Sequence, residues 1–242
     1  MVSKNQIKLI TSLHQKKFRN AEKLFFAEGV KVIQELLQSN FELEHLYTTQ
    51  HDFIEIPISK KTIISDLDLK KISALTTANS CLAVFEIPKP KAIEQKGLIV
   101  ALDDIRDPGN LGTILRLCDW FGVEELVCSP TTVDIFNPKV VQATMGSISR
   151  VNVNYINLNS FLETAKLPVF GTFMDGNSIY KEPLPSEGII VMGNEANGIS
   201  ESIEKIITQR LSIPRFGVLK QTESLNVATA TAIILSEFRR TY

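Results

Sequence analysis

The stretch Leu98-Ile-Val-Ala-Leu-Asp-Asp-Ile-Arg-Asp-Pro-Gly-Asn-Leu-Gly-Thr-Ile-Leu-Arg-Leu-Cys118 decides the fold class. It opens with five consecutive apolar residues, the pattern of a strand buried on both faces in a parallel sheet. Asp107-Pro-Gly-Asn110 then makes a turn, and Leu111, Ile114, Leu115 and Cys118 recur at helical spacing. A strand that passes through a tight turn into a helix is the first half of a βαβ unit. Downstream, Leu126-Val-Cys128, Val169-Phe-Gly-Thr-Phe173, Ile189-Ile-Val-Met192 and Leu211-Ser-Ile213 repeat the strand pattern at intervals filled by helical periods. Residues 98–242 are therefore expected to form an α/β domain around a mostly parallel sheet.

Upstream, Ile87 to Gly97 carries two prolines and several charges but little to bury. This places a first domain at 1–90 and a linker at 91–97. Within the first domain, Ile7, Ile10 and Leu13 follow Ser3, a candidate N-cap, and Val30 to Leu37 resumes a helical period after the Glu28-Gly29 break. Leu24–Ala27, Leu43–Thr48, Ile54–Ile58 and Cys81–Phe85 read as strands, and Leu67–Leu75 as a helix. The expectation is a second, smaller α/β unit.

Composition excludes more than it selects. The 242 residues are 44% hydrophobic and carry 26 Lys+Arg against 27 Asp+Glu, so any attraction to nucleic acid must come from uneven placement of charge. Lys4, Lys8, Lys16, Lys17, Arg19 and Lys23 face only Glu22 and Glu28 in the first thirty residues, which makes either a basic patch or a solvated face. Cys81, Cys118 and Cys128 are too scattered for a metal site and read as buried small hydrophobes in a reducing compartment. No window approaches the roughly 20 apolar residues of a membrane span, and the amino terminus lacks a signal-peptide core. A cytoplasmic protein is expected.

Three segments could carry chemistry. Asn110 is either the N-cap of the helix that follows or a group facing a cleft, and Arg116 lies about 140° around the axis from Leu111, off the apolar stripe. Gly193-Asn-Glu195-Ala-Asn-Gly198 follows a strand, so Glu195 either braces the turn or faces a ligand, and Gly193 would let a ligand approach the backbone. Ser224-Leu-Asn226 opens the small-residue helix Val227 to Leu235, with Ser224 a candidate cap. The histidines, His14, His45 and His51, all fall in the first domain, and the GxSxG, P-loop and GxGxxG patterns are absent. A hydrolase triad and the common nucleotide folds are not indicated.

Taken together and in this order, Asn110-Leu-Gly-Thr-Ile-Leu-Arg116, Gly193-Asn-Glu195-Ala-Asn-Gly198-Ile and Glu223-Ser224-Leu-Asn226-Val resemble the three signature motifs of the SpoU branch of the SPOUT superfamily, RNA ribose 2′-O-methyltransferases related to TrmH. The resemblance spans about 98–242 and includes Gln142-Ala-Thr-Met-Gly-Ser147, similar to a small-residue helix start of the family. Lys17-Phe-Arg19 and Phe26-Ala-Glu28-Gly29 are similar to the family's substrate-binding domain, a small α/β fold. The loop Arg215 to Glu223 departs from the pattern in length, and Ala228 stands where serine is frequent.

The resemblance implies a small RNA-binding α/β domain, then a knotted (trefoil) α/β methyltransferase domain that binds S-adenosylmethionine and works as a homodimer, without a metal. Gly193, Asn194, Ile213, Leu225, Thr172 and Met192 would bind the cofactor, and Lys16, Lys17 and Arg19 the RNA. Asn110, Arg116, Glu195, Ser224 and Asn226 form the implied catalytic set. A guanidinium with a pKa above about 12 is a reluctant base, so an electrostatic and positioning role is expected for Arg116. Ribosomal RNA is the expected substrate, with transfer RNA, a base nitrogen acceptor, or a non-catalytic assembly factor as alternatives.

Overall fold

The computed structural model describes residues 2–50, 53–217 and 224–240, and divides into two compact units. The first comprises Met1–Lys89 with Asp134–Ser149, and the second Pro90–Val133 with Arg150–Tyr242. The expected second domain is thus interrupted: residues 134–149 group with the first unit.

In the first unit, α1 (Lys4–Ser12) starts at a capping box in which Ser3 Oγ accepts from the Gln6 amide and the Gln6 side chain accepts from the Ser3 amide. It is followed by α2 (Lys16–Glu22), β1 (Leu24–Glu28), α3 (Val30–Leu37), β2 (Leu43–Thr48), β3 (Lys61–Ile63), α4 (Asp66–Ile72) and β4 (Cys81–Glu86). The sheet order is β1-β4-β2-β3, with β4 antiparallel to both neighbours and β3 parallel to β2. The strand expected at Ile54–Ile58 does not form. Pro57 cannot donate to a ladder, Ile54 and Ile58 are exposed, and the strand begins three residues later at Lys61. The helix expected at Leu67–Leu75 is shorter and capped by Ser65.

The second unit contains β5 (Leu98–Leu102), α5 (Pro108–Trp120) and β6 (Glu125–Cys128); α6 (Pro138–Thr144) belongs to the first unit. Then come β7 (Asn152–Tyr155), α7 (Leu158–Glu163), β8 (Val169–Ser178), β9 (Gly188–Met192), α8 (Glu201–Glu204), β10 (Gln209–Ser212) and α9 (Val227–Phe238). All six strands pair in parallel in the order β10-β8-β9-β5-β6-β7. The central β5 and β9 are buried at every residue, which accounts for their uninterrupted apolar runs. The linker forms no regular element, yet it is held: Lys91 bonds Asn152 and Asn154, and the Glu94 amide donates to Glu125.

Gln142 to Ser147 ends a helix instead of starting one. α6 stops at Thr144, and Met145 and Gly146 both take left-handed backbone angles. All three cysteines are buried, as expected. Among the described residues no helix is long and apolar enough to cross a membrane, and no cluster of metal-ligating side chains forms.

Candidate active site

The carboxyl ends of β5 and β9 lie side by side, Leu102 paired with Met192. The loops that leave them, 103–107 and 193–200, are cross-tied. The Asp103 carboxylate accepts from the Ser200 amide at 2.8 Å, and Asn194 Nδ2 donates to the Asp104 carbonyl at 2.7 Å and to its carboxylate at 3.3 Å. Asp104 sits at φ 60°, a left-handed angle that aspartate tolerates better than most residues.

Asp107, not Asn110, caps α5. Its Oδ1 accepts from the Asn110 amide at 2.8 Å, and Pro108 occupies the first helical position, where its missing N–H costs nothing. The Asn110 side chain is thereby left to bond elsewhere. Its Nδ2 donates to Glu195 Oε1 at 2.9 Å, and its Oδ1 accepts from Asn226 Nδ2 at 2.8 Å. Asn226, not Ser224, caps α9, with Oδ1 accepting from the Ala228 and Thr229 amides at 3.0 and 3.2 Å. The direction of this chain is fixed at both ends. A cap must present oxygen and a carboxylate can only accept, so both amides have one workable orientation. Glu195, Asn110 and Asn226 are thus joined, one residue from each of the three segments.

The loop 193–198 is built from within. Asn194 and Gly198 exchange backbone hydrogen bonds at 2.9 Å, and Asn194 Oδ1 accepts from the Ala196 and Asn197 amides. Glu195 therefore does not brace the turn. A Cβ at Gly193 would stand 2.3 Å from Gly198 C and Ile199 N, so glycine is required there by the loop's own return and not by an incoming ligand. Ser200 stands at the N-cap position of α8 without a side-chain cap bond.

Arg116 is exposed on α5, and Asn110 lies about 120° from it around the axis over six residues. Among the described residues Arg116 makes no hydrogen bond or ion pair. Ser224 is exposed, and Glu223 falls outside the described residues. Of the residues expected at a cofactor, Asn194 has its amide and backbone groups engaged within the loop, and the Met192 carbonyl accepts from the Asp103 amide. Thr172 Oγ1 donates to the Val191 carbonyl at 3.2 Å. Ile213 is half-buried and Leu225 is 48% exposed.

Residues 97–236 match the model of the SpoU rRNA Methylase family. The chain is also 30% identical to the 23S rRNA (guanosine(2553)-2'-O)-methyltransferase RlmP of Bacillus subtilis over 247 residues, 98% of this chain and 97% of that protein. The chain belongs to the SpoU rRNA methylase family. Residues 4–83 of this SpoU member match an MRM3-like substrate binding domain. Its fold is similar to that of a TrmH-family RNA methyltransferase described as putative from Porphyromonas gingivalis (TM-score 0.91, 39% identity, 100% of both chains). It is also similar to an AdoMet-bound rRNA methyltransferase from Sinorhizobium meliloti (TM-score 0.88, 28% identity, 100% of this chain and 97% of that one).

In the first unit, the structure corrects one expected RNA contact. Arg19 is only 2% exposed: Nε donates to Asp134 Oδ2 at 3.0 Å, Nη2 shares that oxygen, and Nη1 donates to the Leu13 carbonyl at 2.8 Å. Its guanidinium is consumed in holding residues 134–149, because a buried charge survives only when paired and hydrogen-bonded. Lys16 and Lys17 remain exposed. Sequence reading missed Asp103, Asp104 and Arg106. Their signal was present, since consecutive polar residues directly after a buried parallel strand mark the ligand end of such a sheet.

Proposed function

We propose that this chain is an S-adenosylmethionine-dependent methyltransferase that acts on a ribose 2′-hydroxyl of ribosomal RNA, as a cytoplasmic homodimer. The observation that carries the reading is the Glu195–Asn110–Asn226 hydrogen-bond chain, which gathers the three motif segments at the carboxyl end of the sheet. Family membership supports the reaction class, and the relative from Bacillus subtilis, named for 23S rRNA, supports ribosomal over transfer RNA. Residues 1–90 take the RNA, with Lys16 and Lys17 on its phosphates, and 98–242 carry the chemistry, with the family's trefoil knot.

The cofactor supplies an electrophilic methyl group on a sulfonium. Leu225 and Ile213 offer apolar contact for it, beside Thr172, Met192 and the Gly193–Asn194 turn. A ribose hydroxyl is a poor nucleophile until its developing negative charge is stabilised. Arg116, exposed and uncommitted among the described residues, clamps phosphate and alkoxide. Asn110, Glu195 and Asn226 act by holding the loops, since their polar groups are already paired, and Ser224 lines the approach to the reacting centre.

The test is transfer of labelled methyl from S-adenosylmethionine to unmodified ribosomal RNA, comparing wild type with Arg116→Ala and ending in alkaline digestion. Alkali-resistant labelled dinucleotides from wild type alone support the reading. Label in single nucleotides moves the acceptor to a base, and no label in RNA that binds points to an assembly factor.

A further inference from the structure

Arg106 lies in the 103–107 loop between the two anchor points of the Glu195 loop: Asp104 holds Asn194 on one side, and Asn110 holds Glu195 on the other. Its guanidinium is gripped along one edge by a single carboxylate, Nε to Asp104 Oδ1 at 3.1 Å and Nη2 to Oδ2 at 2.9 Å. The Nη1 amino group takes part in neither contact. The side chain is 71% exposed, and an ion pair so wet contributes little to stability, so holding the fold does not explain this arrangement. What the grip does achieve is orientation. The two-point contact biases a long, flexible cation toward one orientation beside the site, and a planar fork with further N–H donors matches phosphate oxygens. The negative charge of Glu195 also acts on Arg106, which places the two groups in one field.

We propose that Arg106, presented by Asp104, binds an RNA phosphate next to the target ribose and so adds to the hold on the RNA beside Arg116. The inference rests on the methyltransferase reading above and adds to it a substrate-positioning residue. Asp104 serves two ends at once, since the same residue fixes the Glu195 loop through Asn194. Substrate positioning and loop geometry are thereby referred to one point of the backbone.

Salt dependence of binding tests this directly, with a labelled single-stranded oligouridylate as the backbone probe. Each phosphate contact on a single strand contributes about 0.7 to the slope of log affinity against log salt. Arg106→Ala is expected to lower the slope by about that amount, and to raise KM for unmodified ribosomal RNA several-fold with kcat held within about two-fold, the signature of lost uniform binding. Arg106→Lys keeps the charge without the fork, so it should retain the slope with an intermediate KM. Lys166→Ala removes an exposed charge just before β8, at the opposite end of the sheet, and should leave the slope unchanged. An unchanged slope in Arg106→Ala, or a fall in kcat with KM unmoved, overturns the proposal. If wild type binds RNA but transfers no methyl, the enzymatic reading fails while the slope still decides whether Arg106 touches phosphate.

Discussion

Asn110 donates through Nδ2 to the Glu195 carboxylate at 2.9 Å, although 85 positions separate the two residues in the chain. The bond works only while Asn110 offers an N–H and Glu195 an acceptor. Asn110→Asp sets two carboxylates together and should reduce kcat/KM by roughly ten- to a hundred-fold, since a hydrogen bond to a charged group contributes about 1.5–3 kcal/mol and each 1.4 kcal/mol is tenfold. Asn110→Asp with Glu195→Gln reverses donor and acceptor and should recover much of the loss. Steady-state kinetics of wild type, Asn110→Asp, Glu195→Gln and the double variant decide it: no rescue in the double variant would mean that Glu195 does more than hold Asn110.

Buried Arg19 and part-buried Asp134 form an ion pair within the first unit. Removing one partner of such a pair leaves the other charge uncompensated, so Arg19→Leu is expected to cost roughly 3–5 kcal/mol in denaturant unfolding. The salt slope of RNA affinity should not move. Lys16→Ala with Lys17→Ala is expected to do the reverse, lowering the slope with little change in stability. A slope change in Arg19→Leu at full folding would return Arg19 to the RNA surface.

Glu28 is buried, and burial pushes its carboxyl above the ordinary value of 4.5 despite bonds from Ser73 and the Ala74 amide. The folded state then holds this proton more tightly than the unfolded chain. Its contribution is fully present below 4.5 and is lost as pH rises through the folded value. The melting temperature of wild type should fall relative to Glu28→Gln as pH is raised above 4.5. A constant difference between the two across that window would show that burial does not control this carboxyl.

Burial pushes the Cys118 thiol up to about 12 and raises Cys128 as well, and Cys81 is fully buried. Thiols held protonated and out of solvent are inert. The native protein should therefore leave an aromatic disulfide reagent unreacted and titrate three thiols only on unfolding. Rapid reaction of any one under native conditions would reveal a local opening.

The hydrophobic pattern made most of the sheet legible. β5 and β9 read as unbroken apolar runs because both faces are covered, and α5 read correctly because its stripe, Leu111, Ile114, Leu115 and Cys118, is wholly buried. β7 was missed: it is an edge strand, and the alternation Val151-Asn-Val-Asn-Tyr155 is too short to stand out from a loop. Asn110 showed its place in the site but not its bonding, because Asp107 and Asn110 are both good caps and only the fold reveals which one the helix uses. Arg19 was misread since a sequence shows charge but not its partner, here 115 residues away.

The grouping of residues 134–149 with the first unit bears on how such proteins can be recombined. Phe136 packs its ring against Phe25 with centroids 4.8 Å apart, and Asp134 neutralises Arg19. A fragment ending at residue 89 would thus be missing an anion and an aromatic from its own interior, although every strand of its sheet is present. On the proposed division of labour, the unit that takes the RNA is therefore discontinuous in the chain. Grafting a foreign substrate-binding domain onto this catalytic unit requires exchanging the connection between β6 and β7 together with the amino-terminal segment.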